Sequence, residues 1–148
     1  MSIDVEVTLR EITAASMRAI CELDVSPEQR EYVAPNVFSI AQAYFEPRAW
    51  LRAVYANETP VGFVMLHEDV ASGAFFLWRL MIDAEHQGKG YGRQALALAV
   101  ERVRELGGHE LVSSHGEGVN GPGAFYRACG FVETGEVKSD EVVIRLTL

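Results

Sequence analysis

A mixed α/β fold in one domain is predicted by three features of this sequence. Short apolar or alternating runs are interleaved with stretches of helical spacing along the whole chain. The most apolar run, GAFFLWRLMID, leads through a glycine-rich turn directly into the longest helical pattern, which makes a strand–turn–helix unit. The length of 148 residues, 49% hydrophobic and 23% charged, suits a single core, so the domain is read as spanning residues 1–148.

The elements follow in order. IDVEVTLREI alternates apolar and polar residues and reads as a half-buried strand. TAASMRAICEL has helical spacing at Met17, Ile20 and Cys21, with Thr13 placed to cap it. DVSPEQREYVAPNVFS carries two prolines and reads as a loop or broken helix over the surface. SIAQAYFEP is a short helix that stops before Pro47. AWLRAVYAN and PVGFVMLHE form a hairpin turning at NETP, and GAFFLWRLMID reads as a strand buried on both faces. In the long helix, Leu96, Ala99, Val103 and Leu106 form one stripe, and Gly107 and Gly108 end it. HELVSS is a strand, GPGAFYRACG a short helix, and FVETGEV with EVVIRLTL a terminal strand pair. The order is β-α-α-β-β-β-α-β-α-β-β.

The formal net charge of −8 excludes general nucleic-acid binding, because phosphate contacts need a basic face. No apolar run approaches the roughly 20 residues that span a bilayer, and the first residues alternate like a strand rather than a leader. A cytoplasmic protein without membrane contact is expected. Cys21 and Cys129 match no redox or metal spacing and read as buried free thiols. His67, His86 and His109 show no ligand spacing either, so no metal is expected.

The glycine turn carries the chemistry. Gly88, Gly90 and Gly92 alternate at the start of the long helix and leave successive peptide N–H groups unshielded. There the first N–H groups lack helical partners and the helix dipole is positive, which makes an anion site suited to phosphate. The nucleotide P-loop pattern fails, because Lys89 is followed by Gly90 rather than by Ser or Thr. The dinucleotide fingerprint fails too, because its third glycine falls on Arg93.

The pattern that fits is Gln-x-x-Gly-x-Gly, carried by Gln87, Gly90 and Gly92. With LWRLMID before it and FYRACGF after it, the sequence resembles the GNAT N-acetyltransferase family. The resemblance implies a central mixed, mostly antiparallel sheet of about seven strands flanked by about four helices. It implies acetyl-CoA as cosubstrate, with its pyrophosphate on the amides of Gln87, Gly88, Lys89, Gly90, Tyr91, Gly92 and Arg93. Met81 and Ile82 would pair by backbone with the pantetheine arm, Asn120 would lie near it, and the Lys89 and Arg93 side chains flank the phosphates. Tyr126 would act as general acid toward the sulfur, since a phenol with a pKa near 10 stays protonated at neutral pH.

The attacking amine, with an ammonium pKa of about 10.4, must lose a proton first. Glu68, His115, Glu117, the backbone around Trp78, or water could receive it. Cys129 has no His partner close in sequence and reads as core rather than as an acyl carrier.

For the acceptor, Glu28, Glu31 and Tyr32 lie in a segment with Glu22 and Asp24, and carboxylates with aromatics suit a cationic amine. YVAPN and LWRLMID…QGKGYG are similar to the bacterial spermine/spermidine branch of the family, which implies a small-molecule polyamine. Peptide N-acetylation, an acyl-CoA sensor without turnover and an interaction domain with a degenerate cofactor site remain the alternatives. The apolar C-terminal strand VVIRLTL is expected as an unpaired edge available for a homodimer.

Overall fold

Strand β3 (Thr59–Asp69) sets the layering, because its side chains alternate between two apolar environments. Val64 and Leu66 point into one cluster with Val54, Leu77, Leu96, Val103, Leu111 and Ile144. Phe63 and Met65 point into the other, with Ile20, Val25, Ala53 and Met81. All four of these β3 side chains are fully buried.

The protein, described by a computed structural model over residues 4–148, builds one seven-stranded sheet between these clusters. The other elements are β1 (Val7–Arg10), α1 (Met17–Glu22), α2 (Asn36–Tyr44), β2 (Ala49–Ala56), β4 (Ala74–Ile82), α3 (Tyr91–Glu105), β5 (Glu110–His115), α4 (Gly123–Ala128), β6 (Val132–Lys138) and β7 (Glu141–Thr147). The strand order is β1-β2-β3-β4-β5-β7-β6, and every neighbour pair is antiparallel except β4–β5. The mixed, mostly antiparallel sheet with four helices is the expected one. Helices α3 and α4 cover one face through Ala95, Leu96, Ala99 and Tyr126. Helices α1 and α2 cover the other through Ile20, Ile40 and Ala43.

The structure corrects several expectations. Ile3 of the first predicted strand lies outside the described residues, and β1 is only the four residues from Val7. Thr13 does not cap α1: it exchanges hydrogen bonds with Ser16 in a preceding turn, and Met17 is 47% exposed. Both cysteines are free but only half-buried. Strand β4 is not buried along its length, because its neighbour β5 leaves it after Leu77. Strand β7 is not an edge: it inserts between β5 and β6, so the reason for expecting a dimer through it disappears and β6 is the edge. Among the described residues no helix is long and apolar enough to cross a membrane.

Candidate active site

Two adjacent pairs, Phe76↔Val112 and Leu77↔Ser113, are all that join β4 to β5. Beyond them the strands part and leave a V. The Ser113 hydroxyl donates to the Leu77 carbonyl at 2.8 Å and closes the V at its root. A β-bulge sits at the same level, where Met65 faces Arg79 and Leu66 faces Leu77, so that Trp78 is the extra residue. The open part of the V is a groove of about 410 Å³. Leu80, Met81 and Ile82 form one wall, and Gly121, Pro122 and Phe125 form the other.

The glycine turn ends this groove. Gly88 (φ +78°) and Gly90 (φ +83°) both adopt the left-handed conformation, which turns neighbouring N–H groups toward one side. Gly90 precedes α3, and the helix opens with the Gln94 N–H donating to the Gly90 carbonyl at 3.1 Å. The amides ahead of Gln94 therefore face outward without helical acceptors. The Gln87 side-chain amide anchors the turn by donating to the Ile82 carbonyl and to Gln29 Oε1, each at 2.9 Å. Of the residues expected here, Met81, Ile82, Gln87, Gly88, Gly90, Tyr91, Gly92, Arg93 and Asn120 line the groove. Lys89 does not; its side chain is exposed. The Met81 side chain is buried in the α1/α2 core, leaving its main chain to the groove.

A 3₁₀ turn over Pro27–Tyr32 straps the groove. Gln29 holds it to the glycine turn through Gln87. Tyr32 holds it to the loop after β5: a Cβ added at Gly116, Gly118 or Gly121 would lie 3.3, 2.0 or 3.1 Å from Tyr32 atoms. The glycines of that loop therefore admit the Tyr32 ring, a packing role that sequence reading missed. Glu28 and Glu31 do not reach the groove. The Glu28 carboxyl is held below its ordinary pKa by hydrogen bonds from its own backbone N–H and the Ser26 hydroxyl, and Glu31 is exposed.

The carboxylates that do line a cavity are Glu22 and Asp24. They border a second chamber of about 220 Å³ with Cys21, Arg30 and Asn36, and Asp24 pairs with Arg30 at 3.0 Å. Val25, Val33 and Met81 line both cavities and form the wall between them. Asn36 is buried and donates to the Ile20 carbonyl at 2.9 Å, which ties α2 to α1 at the chamber floor.

Tyr126 is 7% exposed and packs beside Phe125 of the groove wall, with ring centroids 5.4 Å apart. Burial pushes its phenol pKa up to about 12. His115 ends β5 rather than lying in the following loop; it is buried and stacks on Tyr126 with centroids 6.0 Å apart. Its Nδ1 faces the Gly116 carbonyl at 3.0 Å. Glu117 is exposed on the loop. Glu68 does not line this groove: both its oxygens accept from Arg102 of α3, where the Arg102 guanidinium stacks on Trp50. Burial raises the Cys129 thiol pKa, which keeps it away from the thiolate an acyl carrier needs.

The fold recurs in known proteins. Residues 11–131 match the acetyltransferase (GNAT) family. Spermine/spermidine N(1)-acetyltransferase of Bacillus subtilis strain 168 is 28% identical over 110 residues, covering 68% of this chain and 70% of that protein. Two solved structures share the fold. An acetyltransferase of Thermus thermophilus has a TM-score of 0.77 at 21% identity, covering 96% of this chain and 97% of that one. An N-acetyltransferase of Thermoplasma acidophilum in complex with coenzyme A has a TM-score of 0.72 at 17% identity, covering 97% and 99%. This chain belongs to the acetyltransferase (GNAT) family and is an N-acetyltransferase.

Proposed function

We propose that the protein transfers an acetyl group from acetyl-CoA to a primary amine of a small cationic molecule, with a polyamine such as spermidine as the expected acceptor. The observation that carries this reading is a groove running from the root of the V to a turn of outward amides. The diphosphate suits those amides, and the pantetheine arm suits the edge of β4 around Met81 and Ile82, where β5 no longer pairs.

The second chamber supports the acceptor class. It touches the groove through Val25, Val33 and Met81 and carries the Glu22 and Asp24 carboxylates. Its small volume suits a slim amine rather than a peptide. The similarity to the Bacillus subtilis spermine/spermidine enzyme points the same way.

Tyr126 serves as a hydrogen-bond donor to the departing sulfur rather than as a full acid. A thiol has a pKa of about 8.5. Complete transfer from a phenol held at about 12 is uphill by about 5 kcal/mol, at about 1.4 kcal/mol per unit. Donation without transfer avoids that cost and still stabilises the developing thiolate. The test is release of free thiol from acetyl-CoA across a panel of spermine, spermidine, an amino sugar and a peptide N-terminus. Spermidine or spermine should react fastest. Faster reaction of the peptide or the sugar would remove the acceptor assignment, and no release with any amine would remove transfer itself.

A further inference from the structure

The carboxylates suggested by sequence as bases are engaged elsewhere or point outward, yet one carboxylate does stand at the fork. Ser113 is the last β5 residue paired with β4, and its hydroxyl points to the α4 face. Ser114, by the alternation of the strand, points to the α1/α2 face. There its hydroxyl donates to Glu141 Oε1 at 2.6 Å. Glu141 begins β7, next to the end of β5, where His115 pairs with Val142. The carboxylate thus stands one residue beyond the last β4–β5 pair, on the face that also carries the second chamber's helices.

Among the described residues, the neighbouring groups leave one Glu141 carboxylate oxygen free. From β4, the half-buried Arg79 guanidinium reaches Gln42 of α2 at 3.1 Å and the Trp78 carbonyl at 2.9 Å, and its Nε is buried without a partner among the described residues. The Glu141 charge is felt at Arg79, and across the sheet at the Tyr126 phenol. From β6, Lys138 is its register partner, and His115 lies beside it on β5. Ser114 occupies one oxygen and leaves the other with lone pairs to accept a proton.

We propose that Glu141 is the catalytic base that takes the proton from the acceptor ammonium. This rests on the acetyl-transfer reading above. One ammonium N–H bond breaks and its proton passes to the Glu141 carboxylate, directly or through one water. The nitrogen lone pair then forms the bond to the thioester carbonyl carbon. The C–S bond breaks with its electron pair on sulfur, beside Tyr126. The nitrogen releases a second proton, the thiolate takes one up, and Glu141 returns its own to solvent. Each turnover therefore releases one proton in all.

The test compares wild type, Glu141→Gln and Glu141→Asp with acetyl-CoA and spermidine, measuring kcat from pH 6 to 10 and the affinity for CoA by calorimetry. If spermidine is inert and another amine of the panel reacts, that amine replaces it, so a wrong acceptor and a wrong base are read apart. A positioned base contributes about 10²–10⁴-fold, so Glu141→Gln should lose at least about a hundredfold in kcat at neutral pH with CoA affinity unchanged. Its residual rate should climb about tenfold per pH unit toward the amine's own pKa of about 10.4, where the wild type has levelled off. Glu141→Asp should keep the level region at a reduced height. If Glu141→Gln does not fold, Ser114→Ala should lower kcat about tenfold by freeing the carboxylate while keeping the wild-type profile. A kcat within threefold of wild type in Glu141→Gln, or an unchanged profile, overturns the proposal. So does a Ser114→Ala variant as fast as wild type. Absence of transfer to every amine removes the reading on which it rests and Glu141's role with it.

Discussion

Gly90→Ala isolates what the left-handed turn contributes. Gly90 has φ +83°, and a Cβ there would meet nothing closer than Gln94 Nε2 at 3.8 Å. The substitution is therefore conformational, not steric. An L side chain in the left-handed region costs about 1–2 kcal/mol. If the turn keeps its shape, that cost appears as lost folding stability. If the turn relaxes in the free protein, stability is retained and binding must restore the shape, weakening CoA about 5–30-fold. The two losses together should total about 1–2 kcal/mol however they divide. Urea denaturation measures one and calorimetry with CoA the other. Gly92→Ala is the contrast: its φ is not left-handed, and its Cβ would stand in ordinary contact with Phe125 at 3.5 Å and Ile82 at 3.6 Å, on the groove wall. It should weaken CoA without loss of stability, because Ala favours the first turn of α3 over Gly by up to about 1 kcal/mol. A Gly90→Ala protein whose two losses sum to less than about 0.3 kcal/mol would refute the reasoning, since that is far below the cost of the left-handed region.

Other outcomes follow from the same geometry. Tyr126→Phe should fold and lose about 10–100-fold in kcat, the worth of a hydrogen bond to a charged group; near-wild-type turnover removes the donor. Because burial raises the Tyr126 pKa from 10 to about 12, its stability contribution is full below about pH 10 and lost as pH rises through 12. Wild type should therefore lose about 1 kcal/mol between pH 9 and 11 that Tyr126→Phe keeps, as read by urea midpoints at those two pH values. Gly118→Ala would place a Cβ 2.0 Å from the Tyr32 hydroxyl oxygen. It should unseat the strap and weaken CoA about fivefold, the share of a half-buried ring, and in a Tyr32→Ala background it should keep only the backbone cost of an L residue at φ +152°; full additivity in that double-variant cycle would deny the contact. Glu68→Gln should cost about 2 kcal/mol of stability, since it breaks a half-buried ion pair, and leave kcat unchanged; a large loss of turnover would return Glu68 to the site.

The phosphate turn is legible in the sequence because its demand falls on single residues: Gly88 and Gly90 must be glycine to take positive φ, and Gln87 must reach back to Ile82. The long helix is legible because Leu96, Ala99 and Val103 repeat at its period, and all three are buried. The acceptor side is not. A 3₁₀ turn from Pro27 to Tyr32 rotates Glu28 and Glu31 away and leaves Glu22 and Asp24 on the chamber, and composition alone does not fix that phase. His115 reads as a loop residue because the strand signal fades at SSH, whereas pairing to Val142 extends β5 to it. Glu141 is invisible in the sequence because it meets Ser114 across 27 residues through the insertion of β7 between β5 and β6. The signal that locates it is topological: a terminal strand paired on both sides.

The most direct measurement is an amide titration by ¹⁵N–¹H correlation spectroscopy with CoA. Binding of the diphosphate by main-chain amides predicts large downfield shifts at Gly88, Gly90 and Gly92, with smaller changes at Met81 and Ile82 along the groove. Saturation by CoA with those glycine amides unmoved would contradict it.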